Sequence, residues 1–454
     1  MTAVTLEFDQ GTLVLNGEPP AEPPPHFVYD PRVRKLRAPA SAYREAFAWL
    51  HRSGAPFTDL ARSYKDLALV HMAHRPPFAH QSEALAAWLR AGKRGVVVLP
   101  TGAGKTYVAE LAIAATQRSA LVVAPTLELL AQWYDRMSTA FGVPVGLLGG
   151  GHFDIQDITI TTYDSAYIHL ERLGHRFGLL VFDEAHHLPS PSYALAAEGS
   201  IAPFRLGLTA TPERADEGHL RLETLVGPLV YRREIGELSG EILSDYRIET
   251  VEVELNPSER QQHDEARAIY RDFVDEKGIS MRGPTGWQSF LRATCRSPAG
   301  RRALRAFYEQ KSIALAPQAK LRVLESILYE HRGERVIIFT NDNNTCYRIS
   351  RALLVPAITH KTDPVERRHV LEGFRSAHYT AVVTSRVLNE GVDVPEASIG
   401  VIVSGTASTR EAVQRLGRIL RRAEGKRAVL YELVTANTAE LAQSRRRREH
   451  DAYR

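Results

Sequence analysis

Alternation opens the chain: in "VTLEFDQGTLVLNG" apolar and polar positions trade places at the two-residue period of a half-buried strand, which predicts a β-hairpin turning near Asp9 to Gly11. The proline-rich stretch "EPPAEPPP" interrupts it. In "SAYREAFAWLHRSG" the period lengthens to that of a helix, with Tyr43, Phe47 and Leu50 on one face and Gly54 as a C-terminal cap. Residues 1–72 therefore predict a small α+β module.

Beyond residue 73 the pattern changes to short, continuous apolar runs: "GVVVLP", "ALVVAP", "ITITTY", "LLVFDE" and "LGLTAT", separated by helical stretches such as "TYVAELAIAATQ". Strands buried on both faces read this way because helices cover a parallel sheet on each side. A second set, "RVIIFT", "AVVTS", "IGVIVSG" and "AVLYELV", repeats the signature further on. Two doubly wound α/β lobes are expected, 73–240 and 241–438. A polar helical insertion at about 256–315 lies within the second, and a basic tail, 439–454, contains Arg445 to Arg448.

Composition narrows the class without choosing a function. The 454 residues allow about three ordinary domains, and 44% hydrophobic with 24% charged residues is the balance of a globular chain. No apolar run approaches a membrane span, and "MTAVTLEFDQ" lacks the basic and apolar regions of a signal peptide, so a cytoplasmic protein without membrane attachment is expected. Cys295 and Cys346 stand far apart, which suggests neither a disulfide framework nor a zinc site. A net charge of +4 permits a polyanionic partner without requiring one.

Chemistry concentrates in two places of the first lobe. "VVVLPTGAGKTYVAE" sets Thr101, Gly102, Ala103, Gly104, Lys105 and Thr106 between a strand and a helix. There, glycines let backbone N–H groups approach phosphate oxygens, Lys105 neutralises charge and Thr106 can ligate Mg2+. Leu99 replaces the first glycine of the longer GxxxxGK[ST] pattern, and the shorter PTGxGKT form is met. Downstream, "GLLVFDEAHH" ends a buried strand in Asp183, placed to hold Mg2+, and Glu184, placed to orient and deprotonate water. His186 suits a coupling or hydrogen-bonding role; His187 is left undecided. In the second lobe "QRLGRILRR" puts Gln414, Arg418 and Arg421 on one helical face, able to reach a γ-phosphate held by the first lobe as an arginine finger in cis. ATP in a cleft between lobes, opening and closing with hydrolysis, is the expected arrangement.

In this order, "LPTGAGKT", "APTLELLAQW", "DEAH", "LTAT", "VVTSRVLNEGVDVP" and "QRLGRILR" resemble motifs I, Ia, II, III, V and VI of the superfamily-two helicases. Within them the chain resembles the XPB helicase family in its compact archaeal and bacterial form, carried by "TTYDSAYIHLERLGHRFGLLVFDEAHHLPSPSY", "IAPFRLGLTATPER" and "SGTASTREAVQRLGRILRRAEGKRAVLYEL". The resemblance runs nearly end to end. It implies two RecA-like lobes, an N-terminal module similar to a damage-recognition domain, and a thumb formed by the helical insertion. It also implies an ATP-dependent 3′ to 5′ DNA helicase or translocase of DNA repair, working as a monomer or with a partner nuclease. By motif, Gln81 is expected to contact adenine and Gly391 and Asp393 the nucleotide in the closed cleft. Thr209 to Thr211 are expected to couple hydrolysis to movement.

Two departures qualify the resemblance. The family's Arg-Glu-Asp triplet for strand separation reads Arg214, Ala215, Asp216 here, with Glu213 and Glu217 as flanking substitutes. The family's Arg-x-Tyr-Gln reads "FAHQ", leaving Phe78 and His80 as stacking surface for a base. Thr126, Thr162 and Thr384, near strand ends, are expected to touch DNA phosphates. Lys277, Arg282, Trp287 and Phe290 could grip a DNA backbone and stack bases in the thumb, although a helix core would use the same aromatics.

Three readings follow: a strand-separating helicase, a duplex translocase favoured by Ala215, or an ATP-gated scaffold that delivers a nuclease. An RNA helicase would use similar backbone-contacting motifs, but the XPB resemblance argues against it. A small-molecule kinase would have no need of "QRLGRILR".

Overall fold

The computed structural model describes residues 4–72, 75–213, 216–238, 246–281, 285–295, 297–385, 397–404 and 428–448. They form two compact units, Met1–Glu237 and Leu238–Arg454. Among the described residues no helix is long and apolar enough to cross a membrane.

The first unit begins with a five-stranded sheet of β1 (Val4–Asp9), β2 (Thr12–Asn16), β3 (Val28–Asp30), β4 (Lys35–Pro39) and β5 (Phe57–Asp59), ordered β3-β4-β2-β1-β5. Its hairpin turns where expected, with Asp9 opposite Thr12. The helix Tyr43–Arg52 buries Tyr43, Ala46 and Leu50. Phe47, expected on that face, is 39% exposed. The tighter spacing of Ala46 fits the sheet, and Phe47 packs at the edge against Phe57, with ring centroids 5.6 Å apart.

The connecting segment is laced to the following domain through Gln117. Its carbonyl accepts from Leu67 N, and its side chain exchanges two hydrogen bonds with the Leu69 backbone.

That domain is an eight-stranded sheet of β6 (Arg94–Val98), β7 (Ala120–Ala124), β8 (Val145–Gly149), β9 (His152–Phe153), β10 (Ile158–Thr162), β11 (Leu179–Asp183), β12 (Phe204–Thr209) and β13 (Leu229–Arg232), ordered β13-β6-β12-β11-β7-β10-β8-β9. All pairs are parallel except β8 with β9. Strands β7, β10 and β11 are buried throughout. The later strands β11 and β12 insert between β6 and β7, so the loops that follow β6, β11 and β12 meet at one edge of the sheet. Such a crevice at the carboxyl ends of parallel strands is where α/β proteins build binding sites.

The second unit is a six-stranded parallel sheet of β14 (Tyr246–Val253), β15 (Val336–Phe339), β16 (Ala357–Ile358), β17 (Ala381–Thr384), β18 (Ile399–Ile402) and β19 (Ala428–Thr435), ordered β14-β19-β18-β15-β17-β16. Between β14 and β15 the insertion forms helices Pro257–Glu276, Gly286–Thr294 and Pro298–Leu315. The first starts at a capping box of Asn256 and Glu259 followed by Pro257, which satisfies the free N–H groups of its first turn. Phe273, Val274, Phe290 and Ala303 are the buried core of the three helices, with Tyr270, Trp287 and Phe307 packed around them. Base stacking by Phe290 is therefore excluded by its complete burial, and Trp287 packs on Phe307 at 5.1 Å. Lys277 pairs with Glu276; Arg282 lies outside the described residues. The start of the basic tail is helical, Ala439–Arg448.

Candidate nucleotide site

Strand β6 ends at Val98 and the helix Lys105–Thr116 begins after Gly104. Between them the chain must reverse tightly. Gly102 (φ +89°) and Gly104 (φ +81°) supply left-handed conformations that side-chain-bearing residues rarely adopt. The Lys105 ammonium curls over this loop and donates to the Leu99 and Pro100 carbonyls at 3.2 and 3.4 Å. Ala103 is buried, and Thr106 is the second residue of the helix. A loop with helix N-terminal N–H groups and an ammonium at its mouth is built for phosphate.

Asp183 closes β11 beside this loop and is 7% exposed. Its Oδ2 accepts from Trp133 Nε1 at 2.8 Å and its Oδ1 from the Glu184 backbone N at 3.0 Å. Burial, reinforced by the Glu184 charge, pushes its pKa up to about 6, against the opposing pull of the Trp133 hydrogen bond and the Lys105 charge. Glu184 itself sits in the left-handed region, φ +46°, a strained conformation for glutamate of the sort that gathers at functional sites.

His186 is wholly buried; its Nδ1 lies 3.4 Å from Glu184 Oε2 and 3.1 Å from Thr209 Oγ1. Thr209 ends β12, and its hydroxyl also accepts from Thr211 N at 3.2 Å. The Thr209 carbonyl accepts from Leu99 N at 3.0 Å, at the entrance to the phosphate loop. Glu184, His186, Thr209 and the loop thus form one continuous polar path.

Gln81, expected on adenine, faces the phosphate loop in this structure. It is fully buried, and its Nε2 donates to the Ala103 carbonyl at 3.1 Å and to that of Gly104 at 3.5 Å. Its Oε1 accepts from Phe78 N and Arg75 Nη1. Both ends of the amide are engaged within the protein. His80 joins it, donating from Nε2 to the Ala103 carbonyl at 2.8 Å, while Phe78 remains 40% exposed.

The three threonines expected on DNA all have internal partners. Thr126 and Thr162 cap the helices Leu127–Phe141 and Tyr163–Leu173, accepting from Leu129 N and Ser165 N. Thr384 is fully buried with its hydroxyl on the Ser385 carbonyl, which removes it from any DNA-facing surface. Asp216 accepts from Gly218 N within its own turn. Arg214, Ala215, Gly391, Asp393, Gln414, Arg418 and Arg421 lie outside the described residues.

Sequence reasoning missed Trp133 and Arg75. Trp133 had a signal in "LELLAQW" but stands 50 positions from its partner Asp183. Arg75 is six positions before Gln81, too far to be read as part of the same motif.

Among the described residues no cluster of three or more His, Cys, Asp or Glu side chains forms a metal cage. The hard oxygens of Asp183 and Thr106 nevertheless suit Mg2+, which is commonly held by one or two protein oxygens together with substrate phosphates.

Comparison with known proteins agrees with this geometry. Residues 6–61 match the Xeroderma pigmentosum group B helicase damage recognition domain, 75–214 the res subunit of type III restriction enzymes, and 305–451 the ERCC3/RAD25/XPB C-terminal helicase. The Sulfurisphaera tokodaii DNA 3′-5′ translocase XPB2 is 42% identical over 370 residues, 82% of this chain and 84% of the relative. The Mycobacterium tuberculosis DNA 3′-5′ helicase XPB is 31% identical over 375 residues, 79% of this chain but 61% of that longer protein. In fold, the Pyrococcus furiosus Hef helicase domain superposes with a TM-score of 0.53 at 19% identity, covering 81% of this chain and 97% of that one. With a phosphate loop, an Asp-Glu-Ala-His strand end and a relative this similar across most of both lengths, the chain belongs to the XPB family of DNA helicases and translocases.

Proposed function

We propose that the chain is an ATP-driven motor that moves 3′ to 5′ along DNA, with hydrolysis at the β6–β11–β12 edge of the first unit. The polar path from Glu184 through His186 and Thr209 to the phosphate loop is the observation that carries this reading. It makes the hydrolytic carboxylate and the loop respond to each other.

Lys105 would neutralise the β- and γ-phosphates, and Glu184 would orient the attacking water and accept its proton. Asp183 and Thr106 would hold Mg2+, which when bound supplies Lewis-acid stabilisation of phosphate charge. Trp133 keeps the Asp183 carboxylate oriented toward that task. Arg418 and Arg421 would supply the transition-state cations and Gln414 a neutral amide hydrogen bond beside them, with Gly391 and Asp393 lining the nucleotide in the closed state. Within this reading the N-terminal module, residues 1–72, serves recognition of damaged DNA, and residues 256–315 serve as thumb. Cytoplasmic DNA repair with a partner nuclease is the setting.

A duplex translocase that separates strands poorly is the second reading. It is favoured by Ala215 and by Glu213, one of the two flanking acids, which is bound to Arg232 at 2.7 Å.

DNA-stimulated ATPase of wild type, Lys105→Ala and Glu184→Gln tests the proposal. Lys105→Ala should abolish turnover, and Glu184→Gln should bind ATP but hydrolyse it about a hundredfold or more slowly. Wild-type turnover in either variant overturns the assignment.

A further inference from the structure

Resting on the nucleotide-site reading above, we infer that Arg75 is a positioning residue for nucleotide binding: it fixes the Gln81 amide, and through it the carbonyl side of the phosphate loop. The observation is a convergence that no sequence motif announces. The Arg75 guanidinium lies 4.4 Å from the centroid of the Phe78 ring and 4.5 Å from that of Tyr107. Its backbone carbonyl accepts the Tyr107 hydroxyl at 2.6 Å. Tyr107 belongs to the first turn of the phosphate-loop helix, so Arg75 is tied by side chain and backbone to the element that presents Lys105.

From there the guanidinium reaches the loop. Nη1 donates to Gln81 Oε1 at 3.4 Å, and Nη2 comes within 3.9 Å of where a Cβ on Gly104 would stand. An amide presents an acceptor at one end and donors at the other. With Arg75 and Phe78 N both donating to Oε1, Nε2 must face the Ala103 and Gly104 carbonyls. A reversed amide would set donor against donor on one side and acceptor against acceptor on the other. Arg75 therefore reinforces, together with Phe78 N, the orientation in which the amide holds the loop's Ala103 and Gly104 carbonyls.

The same contacts would let "FAHQ" do without the arginine that Phe78 replaces. The cation arrives from six positions before Gln81 and is steadied by two aromatic rings. The loop position it supports tolerates little change: Gly104 holds φ +81°, a conformation that side-chain-bearing residues rarely adopt, and a Cβ there would press on the Gln81 amide.

A guanidinium is flat and stacks on both faces, whereas an ammonium is compact and strongly hydrated. Lysine should therefore preserve the charge but only part of the positioning.

The test titrates a ribose-labelled fluorescent ATP with Mg2+ into wild type, Arg75→Ala, Arg75→Lys, Gln81→Ala and the Arg75→Ala/Gln81→Ala double variant, with steady-state ATPase measured alongside. Arg75→Ala should weaken binding about tenfold and raise KM equally, with kcat within about twofold. Arg75→Lys should recover part of the loss. In the Gln81→Ala background, Arg75→Ala should change affinity less than about twofold, because its partner is already gone.

Unchanged affinity in Arg75→Ala, or an equal loss in both backgrounds, overturns the assignment. Lys105→Ala serves as the reference. If it binds the labelled ATP as wild type does, the nucleotide site itself is misplaced and the proposal falls with it. If Lys105→Ala fails to bind while Arg75→Ala binds normally, only the role of Arg75 is refuted.

Discussion

Thr209 Oγ1 lies 3.1 Å from His186 Nδ1, and the same residue's carbonyl accepts the Leu99 N–H at 3.0 Å. One residue at the end of β12 thus touches the Asp-Glu-Ala-His segment with its side chain and the phosphate loop with its backbone. Movement of either can be passed to the other through it.

Thr209→Val keeps shape and volume but removes the hydroxyl, leaving Thr211 N without its acceptor and His186 without this partner. Buried groups deprived in this way cost about 1–3 kcal/mol each, enough to displace the His186 ring from Glu184. ATP affinity should remain near wild type while DNA stimulation of the ATPase falls about tenfold. Thr209→Ser should restore it. Full stimulation in Thr209→Val would show that the path carries no coupling.

Asp183 gives a pH signature. Its carboxyl is pushed up to about 6, chiefly by burial, so in the metal-free site it takes up a proton as pH falls through that value. Protons and Mg2+ then compete, and the Mg2+ needed for half-maximal ATPase should rise about tenfold per pH unit below this point. Trp133→Phe removes a donor that favours the carboxylate, so the bend should move to higher pH. The linkage has a definite sign. A carboxyl raised above its ordinary 3.8 binds more protons folded than unfolded, so its contribution is greatest below 3.8 and is lost as pH rises through about 6. Asn offers one acceptor for the two donors that Asp183 serves, a cost that does not depend on pH, so the melting temperature of metal-free Asp183→Asn relative to wild type should rise between pH 4 and pH 8. A difference that stays constant across that range would contradict the raised value.

The strands legible in the sequence are those buried on both faces, such as β7, β11 and β19, because nothing else requires an unbroken apolar run. Strand β14 was not legible. "YRIETVEV" is a half-exposed edge strand whose polar alternation also suits a loop, yet it pairs with β19 along its whole length. The phosphate loop and the strand-end acids were legible because their chemistry depends on short local spacing. The partners that orient them were not. Trp133 meets Asp183 only after β11 inserts beside β7, and Arg75 hydrogen-bonds Gln81 from a position set by its stacking on Phe78 and Tyr107. Polar residues at strand ends misled for a related reason: Thr126 and Thr162 are there to cap helices.

In the second unit Lys320 is fully buried, with its ammonium donating to Glu440 Oε2 and the Val403 carbonyl, each at 2.7 Å. Glu440 Oε2 also accepts from Thr435 N at 3.0 Å, pinning the helix Ala439–Arg448 to the end of β19. Removing one member of a buried pair strands the other charge, at a cost of about 3–5 kcal/mol. Glu440→Gln should therefore speed amide hydrogen exchange in β19 and the terminal helix. The Lys320→Met/Glu440→Leu double variant should be less affected than either single change. Unaltered exchange in Glu440→Gln would mean that the pair does not anchor the helix.

Strand separation turns on the acids around Ala215. Glu213 is engaged by Arg232 at 2.7 Å, and Arg232 is held in turn by Glu234. Freeing Glu213 to act as a wedge would break that network. Glu217 is exposed and sits in the left-handed region at φ +56°, its backbone already committed to the turn that precedes Gly218. On a 3′-tailed duplex with ATP, wild type should hydrolyse ATP with DNA stimulation but displace little strand, and Ala215→Glu should gain displacement at unchanged ATPase. Efficient displacement by wild type would favour a strand-separating helicase in which Glu213 or Glu217 stands in for the missing glutamate. In that case Glu213→Ala or Glu217→Ala, rather than Ala215→Glu, would be the change that alters strand separation.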